Sequence, residues 1–254
     1  MRTSEVPLRW ATMLAASTLL TLLPIATAAA AAPAFDAGTI LSRSKALYGN
    51  LHSYADTGTT VTINKSPGAP ASTETYTFTT LFLPGRHFLF DSRKQSSGER
   101  IIIWANGGDF NSWWSATKVH EDYPQGQGDV AFATASYPTA GTVVEIPSLL
   151  FAGAGLQSSI SAFSNPQAVG MEDVSGHPCY KISGRVALAY GTGNVASAHN
   201  ATLWIDKSSL LIRKIFEDSP DDVGTGFVTK TTITFDPQIN SKIDLARFNV
   251  TIPK

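Results

Sequence analysis

The sequence predicts an α+β fold in which a strongly curved antiparallel sheet wraps around helices. Residues 36–51 carry apolar side chains at helical spacing, and most later segments alternate with a period of two. Residues 126–163 interrupt these segments with a stretch rich in alanine and serine. Consecutive strands joined by short turns usually pair as neighbours, and an amphipathic helix must bury its apolar side. We therefore expect one sheet that packs against the helical segments.

The first element is an amphipathic helix over residues 36–51. Its apolar positions recur at helical spacing, at Ile40, Leu41, Leu47 and Leu51. Polar residues at positions 42–45 occupy the other side of this helix. The pair Gly49–Asn50 is a stop signal, so the helix is predicted to end there.

Four strands are predicted next. They cover residues 52–64, 72–83, 86–93 and 100–105, with turns rich in proline or glycine after the first two. In the second strand the aromatic residues share one face with Thr80, and the other threonines occupy the opposite face. Residues 101–104 show little alternation, which indicates burial on both faces of the sheet.

The remaining elements follow a hairpin turn at Asn106–Asp109. Residues 110–123 are predicted to return as one strand, and residues 126–163 to form short helices inserted into the domain. Further strands are expected within 167–185 and 229–235, and the tail 247–253 is expected to add an edge strand.

The stretch 201–215 is the clearest hairpin in the chain. Two apolar runs flank the polar residues 206–209, and Asp206 can bond the backbone of its own turn. A two-stranded hairpin is only marginally stable in water, so the surrounding sheet must support it.

Composition favours one folded domain over residues 35–254. Hydrophobic residues make up 43% of the chain and charged residues only 15%, which is enough apolar material for a core. The formal net charge of −1 provides no basic surface for nucleic acid. Cys179 is the single cysteine, so the fold has no internal disulfide.

Residues 1–34 have the pattern of an export signal. Arg2 and Arg9 precede the apolar run 13–26, and a small-x-small motif ends at Ala34. We expect cleavage after Ala34. A membrane anchor is the alternative, but a membrane span needs about 20 apolar residues, and this run contains serine, threonine and proline. The mature chain is therefore expected not to be an integral membrane protein.

No catalytic, metal or cofactor site is expected. Two Ser-x-x-Lys matches, at 42–45 and 115–118, have no companion motifs, and such short matches are frequent by chance. The five histidines are dispersed along the chain. A metal site built on His177 and Cys179 would need two more ligands. The sequence thus predicts a protein that is not an enzyme.

The order of motifs resembles the bacterial periplasmic lipoprotein-carrier superfamily, that is, LolA-like outer-membrane lipoprotein carrier and sorting proteins with their LolB-like and RseB-like relatives. The resemblance covers nearly the whole mature chain. It is carried by residues 48–54, 82–88, 101–114, 176–180, 203–206 with 211–214, and 237–248. Leu83 stands where the best-known carriers have an arginine before the proline, and the lipidated cysteine of the acceptor relatives is absent.

This resemblance implies an incomplete β-barrel, closed by helices, with an apolar cavity that holds acyl chains of lipids or lipoproteins in the periplasm. An inner-membrane exporter and an outer-membrane acceptor are the partners implied. The alternative on the same fold is a lipid-responsive sensor or interaction protein of the envelope. Residues 149–151 are the candidate lid, and the full predicted lining is Tyr76, Phe78, Phe82, Phe88, Phe90, Ile102, Trp104, Trp113, Leu149, Leu150, Phe151 and Trp204.

Overall fold

A computed structural model of the protein describes residues 35–126, 129–135, 139, 141–151, 153–190, 194–195, 198–219 and 226–252. The predicted export signal, residues 1–34, and its cleavage point lie outside this part of the chain. Within it, no helix is both long and apolar enough to cross a membrane.

The first helix, α1 (Ala37–Tyr48), lies where the apolar spacing predicts it. Asp36 caps its N-terminus, because the carboxylate accepts hydrogen bonds from the backbone N–H groups of Gly38 and Thr39 at 2.9 and 3.4 Å. The helix ends before Gly49, as predicted. Its buried positions include Ile40 and Leu41.

The later elements are mainly strands. In chain order they are β1 (Tyr54–Lys65), β2 (Ser72–Leu83), β3 (His87–Lys94), β4 (Arg100–Asn106), β5 (Phe110–Trp114), β6 (Val119–Tyr123), β7 (Phe163–Val174), β8 (His177–Val186), β9 (Ala189–Tyr190), β10 (Asn194–Val195), β11 (His199–Asp206), β12 (Ile212–Ser219), β13 (Val228–Phe235) and β14 (Gln238–Ile239). The inserted helices are α2 (Asp129–Ala135), α3 (Thr142–Glu145) and α4 (Pro147–Leu150), and a 3₁₀ turn covers Leu245–Phe248.

Twelve of the strands form one antiparallel sheet in the order β6-β5-β4-β3-β2-β1-β13-β12-β11-β8-β7, with β14 also paired to β1. Strands β9 and β10 form a separate pair. Strands β1 to β6 run as one meander, and the pairing of β1 with β13 joins it to the second half of the chain. Among the described residues β6 and β7 do not pair with each other, so the sheet is open. The predicted antiparallel sheet is confirmed in this form.

The insertion connects the two edges of the sheet, since it leaves β6 and enters β7. Its short helices are confirmed, and α3 lies against the middle of the sheet. The Thr142 hydroxyl is 2.6 Å from the hydroxyl of Thr60 on β1, and both side chains are buried. One apolar cluster contains residues of α1, α3, α4 and the sheet face that they cover.

Two predicted elements were wrong. Residues 110–123 form two strands, not one, because residues 115–118 make a turn in which Lys118 has a φ of 56°. The tail has no strand between residues 247 and 252. Phe248, Val250 and Ile252 instead pack on the side chains of the strands beneath them, so burial of these side chains decides the path of the tail.

Gly58 on β1 is expected to tolerate no side chain. It lies directly opposite Phe78, and a Cβ at this position would be 2.3 Å from Cζ of Phe78 and 2.2 Å from the carbonyl oxygen of Thr234. We expect Gly58→Ala to lower the free energy of unfolding by about 1–3 kcal/mol, as overpacking of a core does. Urea denaturation measures this change.

Gly108→Ala is the matched control for this substitution. A Cβ at Gly108 would meet no atom within 4 Å, and its φ is not positive. Because alanine restricts the unfolded chain, we expect this variant to be unchanged or more stable by up to about 1 kcal/mol. Equal stability losses in the two variants would contradict the close packing at Gly58.

Candidate functional site

An aromatic cluster occupies the sheet face that the insertion covers. Phe151, directly after α4, has its ring centroid 5.3 Å from that of Phe82, 5.5 Å from Phe88 and 5.7 Å from Phe110. All three contacts are edge-to-face, with interplanar angles between 75° and 87°. This is a favourable geometry for aromatic pairs. One residue of the insertion therefore covers rings from three strands, β2, β3 and β5.

The aromatic face continues across the sheet towards β13. The rings of Phe78 and Phe90 stack at 5.9 Å, and Phe78 meets Phe235 edge-on at 5.7 Å. Leu149 and Leu150 of α4 belong to the same apolar cluster. In this state the cluster is closed, because the rings contact one another.

Seven of the twelve predicted lining residues lie in or against this cluster. They are Phe78, Phe82, Phe88, Phe90, Leu149, Leu150 and Phe151. A period of two along β2 and β3 brings the first four onto one face, as the sequence indicates. The structure thus places these seven side chains together, whereas five others lie elsewhere.

Four of the remaining residues lie on the opposite face of the sheet. On β4, Ile101 and Ile103 join the main cluster while Ile102 and Trp104 point the other way, together with Trp113. Trp204 packs with Val174 and Cys179 in a further cluster. Because β4 is buried on both faces, as predicted, its sequence alone does not tell which side chains share the face covered by the insertion.

Tyr76 lies at the polar end of the aromatic face. Its side chain is buried, but its hydroxyl donates to Glu74 at 3.1 Å, and the Lys94 ammonium is 5.7 Å from its ring centroid. Lys94 also forms an ion pair with Glu74. This group of charged side chains marks where the apolar face ends.

The predicted lining did not include two residues of the aromatic cluster, Phe110 and Phe235. Phe110 begins β5 directly after the hairpin turn, and Phe235 ends β13. Phe110, Ser112 and Trp114 occur at every second position of a predicted strand, which indicates that they share one face. Ile233 and Phe235 have the same spacing. Both patterns put these side chains on the face that holds Ile103 and Phe90.

Arg86 joins the insertion to the sheet. Its guanidinium forms an ion pair with Asp129 at the start of α2, and its Nε donates to the carbonyl oxygen of Gly108 at 3.0 Å. The same guanidinium lies 5.1 Å from the ring centroid of Phe110. A cation that touches both the covered ring and the first inserted helix holds that helix beside the aromatic cluster.

A groove of about 720 Å³ lies elsewhere on the sheet. Five threonines of β1, β2 and β13 line it, together with Asp91, Arg93, His177, Arg213 and Asp236. Phe78 is the only predicted lining residue among its walls. Most of its lining side chains are polar, although Phe235 also borders it, so the groove differs from the apolar cavity predicted from the sequence.

The histidines and Cys179 do not gather into a site. Among the described residues no three His, Cys, Asp or Glu side chains are arranged to hold a metal ion. Cys179 is fully buried, and burial raises the pKa of its thiol to about 11. A thiol with a raised pKa is a poor nucleophile near neutral pH.

Comparison with known proteins gives a likeness of fold. No family model and no curated protein matches the chain. LprF from Mycobacterium bovis aligns over 88% of this chain and 98% of its own, with 15% identity and a TM-score of 0.47. The lipoprotein LppX from Mycobacterium tuberculosis aligns over 83% of this chain and all of its own, with 14% identity and a TM-score of 0.40.

A LolA superfamily protein from Nitrosomonas europaea aligns over 85% of this chain and 99% of its own length. The identity is 12% and the TM-score is 0.33. All three TM-scores are below 0.5, and the identities do not exceed 15%. The solved structures that align with the chain thus include a member of the LolA superfamily, which is the family that the sequence motifs resemble.

Proposed function

We propose that this protein is an exported, non-enzymatic carrier that holds acyl chains of a lipid or lipoprotein between the aromatic sheet face and residues 147–151. The observation that carries this proposal is the position of Phe151, whose ring covers Phe82, Phe88 and Phe110. We call residues 147–151 the lid. When the lid moves away, it exposes an aromatic surface that an acyl chain can cover in its place.

The free energies of these contacts favour replacement of the lid by an acyl chain. Each aromatic pair contributes about 0.5–1.5 kcal/mol beyond its buried area, so breaking three pairs costs about 1.5–4.5 kcal/mol in addition to the apolar area that is re-exposed. Burial of a methylene contributes about 0.8 kcal/mol, and a dozen methylenes therefore contribute on the order of 10 kcal/mol. The acyl chain thus outweighs the ring-pair energies, and the remainder offsets the re-exposure of the lid's apolar side chains, about 1.5–3 kcal/mol each, and part of the cost of association.

The lid is short and is held by few polar contacts. It contains the single helical turn of α4, and the Ser148 hydroxyl bonds that of Ser158 at 2.7 Å. One-turn helices have little stability of their own, so the lid depends on its side-chain contacts. Opening the lid therefore breaks few polar contacts.

Native mass spectrometry of the mature chain purified from a bacterial periplasm tests the proposal, followed by solvent extraction of bound material. A stoichiometric lipid or lipopeptide adduct is expected and would identify the chemical class of the ligand. A ligand-free mass, together with no uptake of a fluorescent acyl probe, would contradict the proposal. That outcome would favour an interaction protein of the envelope.

Leu150→Glu is expected to weaken binding of a fluorescent acyl probe at least tenfold. Leu150 is only 8% exposed and lies in the apolar cluster, so the substitution puts an unpaired charge beside the acyl chain. Probe titration measures the affinity, and circular dichroism checks that the variant is folded. Leu150→Ala serves as a second variant with the same expected direction and no buried charge.

Leu245→Glu is the matched control, because Leu245 is 52% exposed and is not part of this cluster. We expect its affinity for the probe to equal that of the unmodified protein. Full affinity in folded Leu150→Glu and Leu150→Ala would remove the lid from the site.

A further inference from the structure

Glu145 is a buried acid in the insertion, next to the lid. It ends α3 and is 2% exposed. Its two carboxyl oxygens accept hydrogen bonds from the backbone N–H groups of Ser159 at 3.0 Å and Ile160 at 3.1 Å. Residues 145 and 159–160 flank the lid in sequence, so this carboxyl group joins the segments before and after it.

A second acid, Glu217 on β12, lies close enough to Glu145 for the two carboxyl groups to interact electrostatically. The Ser159 side chain interacts with both carboxyl groups. The side chain of Glu217 is only 17% exposed. One buried acid of the insertion and one acid of the sheet therefore interact where the insertion crosses the sheet.

The charges around this pair are few. A basic group beside this pair is His199 on β11, whose Nε2 lies 3.8 Å from a carboxylate oxygen of Glu217 and has no hydrogen-bond partner within the described ranges. The guanidinium of Arg185 on β8 donates hydrogen bonds to the side-chain oxygen of Asn200 and the carbonyl oxygen of Ala198. No lysine or arginine in the described part of the chain forms an ion pair with either acid. Two buried carboxylates without such a partner repel each other, and one proton between them removes this repulsion.

We propose that Glu145 and Glu217 share a proton and act as a latch that keeps the lid closed, and that loss of this proton releases the lid. This inference rests on the proposed function, since it names how the same site is opened. The proton neutralises one acid, so the pair can stay buried. When it leaves, two negative charges face each other between the insertion and the sheet, and separation of the lid relieves their repulsion.

The direction of the pH effect follows from burial. Burial raises the pKa of Glu145 to about 8, with a further contribution from the nearby Glu217. It also raises the pKa of Glu217, while His199 acts in the opposite direction. A raised pKa in the closed state means that the closed state loses stability as the pH rises from the pKa of an exposed glutamic acid, about 4.3, to the pKa in the closed state. Opening should therefore increase across this range and level off above pH 8.

Hydrogen exchange of the backbone amides in residues 145–160 tests the latch without any ligand. After correction for the intrinsic effect of pH on exchange, we expect the equilibrium constant for opening of this segment to increase at least tenfold between pH 5 and pH 8. Glu145→Gln and Glu217→Gln should each reduce this increase to less than threefold, because an amide has no proton to lose in this range. Glu172→Gln is the control, since Glu172 is 40% exposed and pairs with Lys181, and it should keep the full increase.

A flat profile in the unmodified protein would overturn the latch, as would a full increase that persists in both glutamine variants. If Glu145→Gln does not fold, Glu217→Gln on β12 alone provides the test. Acyl-probe titration over the same pH range separates the two proposals. Tight probe binding with a flat exchange profile would refute the latch alone. A normal exchange profile without probe binding would refute the carrier and leave pH-dependent opening in place.

Discussion

Replacing Asp206 by alanine is expected to lower the free energy of unfolding by about 3–5 kcal/mol, because the substitution leaves the charge of Arg213 buried without its main partner. Asp206 is 2% exposed, and its carboxylate accepts the Arg213 Nε–H at 3.2 Å. It also accepts the backbone N–H groups of Ser208 and Ser209 at 2.8 and 3.0 Å. Urea denaturation at neutral pH measures the loss.

The other acid on the same guanidinium is the matched control. Asp236 accepts from Arg213 Nη1 at 3.2 Å but its side chain is 73% exposed, so Asp236→Ala should cost less than about 1 kcal/mol. Arg213→Met combined with Asp206→Ala should recover part of the stability, since no buried charge is then unpaired. Similar losses for the two single acid variants would contradict burial as the cause.

The Asp206 carboxylate also makes the stability of the protein depend on pH, and the direction of this dependence can be predicted. Burial by itself would raise the pKa of Asp206, but hydrogen bonds from Ser208, Ser209 and Arg213 outweigh it and hold the pKa below its usual range. Its stabilising contribution is therefore present above the pKa of an unfolded aspartic acid, about 3.9, and is lost as the pH falls further. This direction is opposite to that of Glu145, which favours the closed state at lower pH.

Replacing Phe88 by alanine is expected to lower the free energy of unfolding by about 3–5 kcal/mol, as large-to-small substitutions of buried phenylalanine do. Phe88 is fully buried, and its ring lies 5.5 Å from Phe151 and 5.9 Å from Phe110. The substitution leaves a cavity beneath the lid. Urea denaturation measures the change, and benzene should raise the melting temperature of the variant more than that of the unmodified protein, because dry apolar cavities bind it.

Leu245→Ala is the control for this prediction, because Leu245 is 52% exposed. Its effect should stay within about 0.5 kcal/mol. A loss below about 1 kcal/mol for Phe88→Ala would show that the cluster is not closed, because a packed interior does not tolerate such a void without cost. The carrier proposal would then need an open cavity in the resting state.

Local chemistry in the sequence was enough to predict most elements of this fold. The period-two pattern placed β2 at residues 72–83, as observed, and Asp206 with its serines predicted the turn of the central hairpin. Such signals depend on residues that are neighbours in sequence. The prediction was wrong at residues 110–123 and in the tail, where a left-handed Lys118 and the burial of Phe248 decide the path of the chain.

The sequence by itself determined the class of the fold, the order of its elements and seven side chains of the candidate site. Only the tertiary structure decided which apolar face the insertion covers, because β4 is buried on both sides and each of its faces is apolar. Tertiary structure alone also brought Glu145 to Glu217 and Arg86 to Asp129. Those pairs join residues that are 72 and 43 positions apart, and no local pattern encodes a contact made when the insertion crosses the sheet.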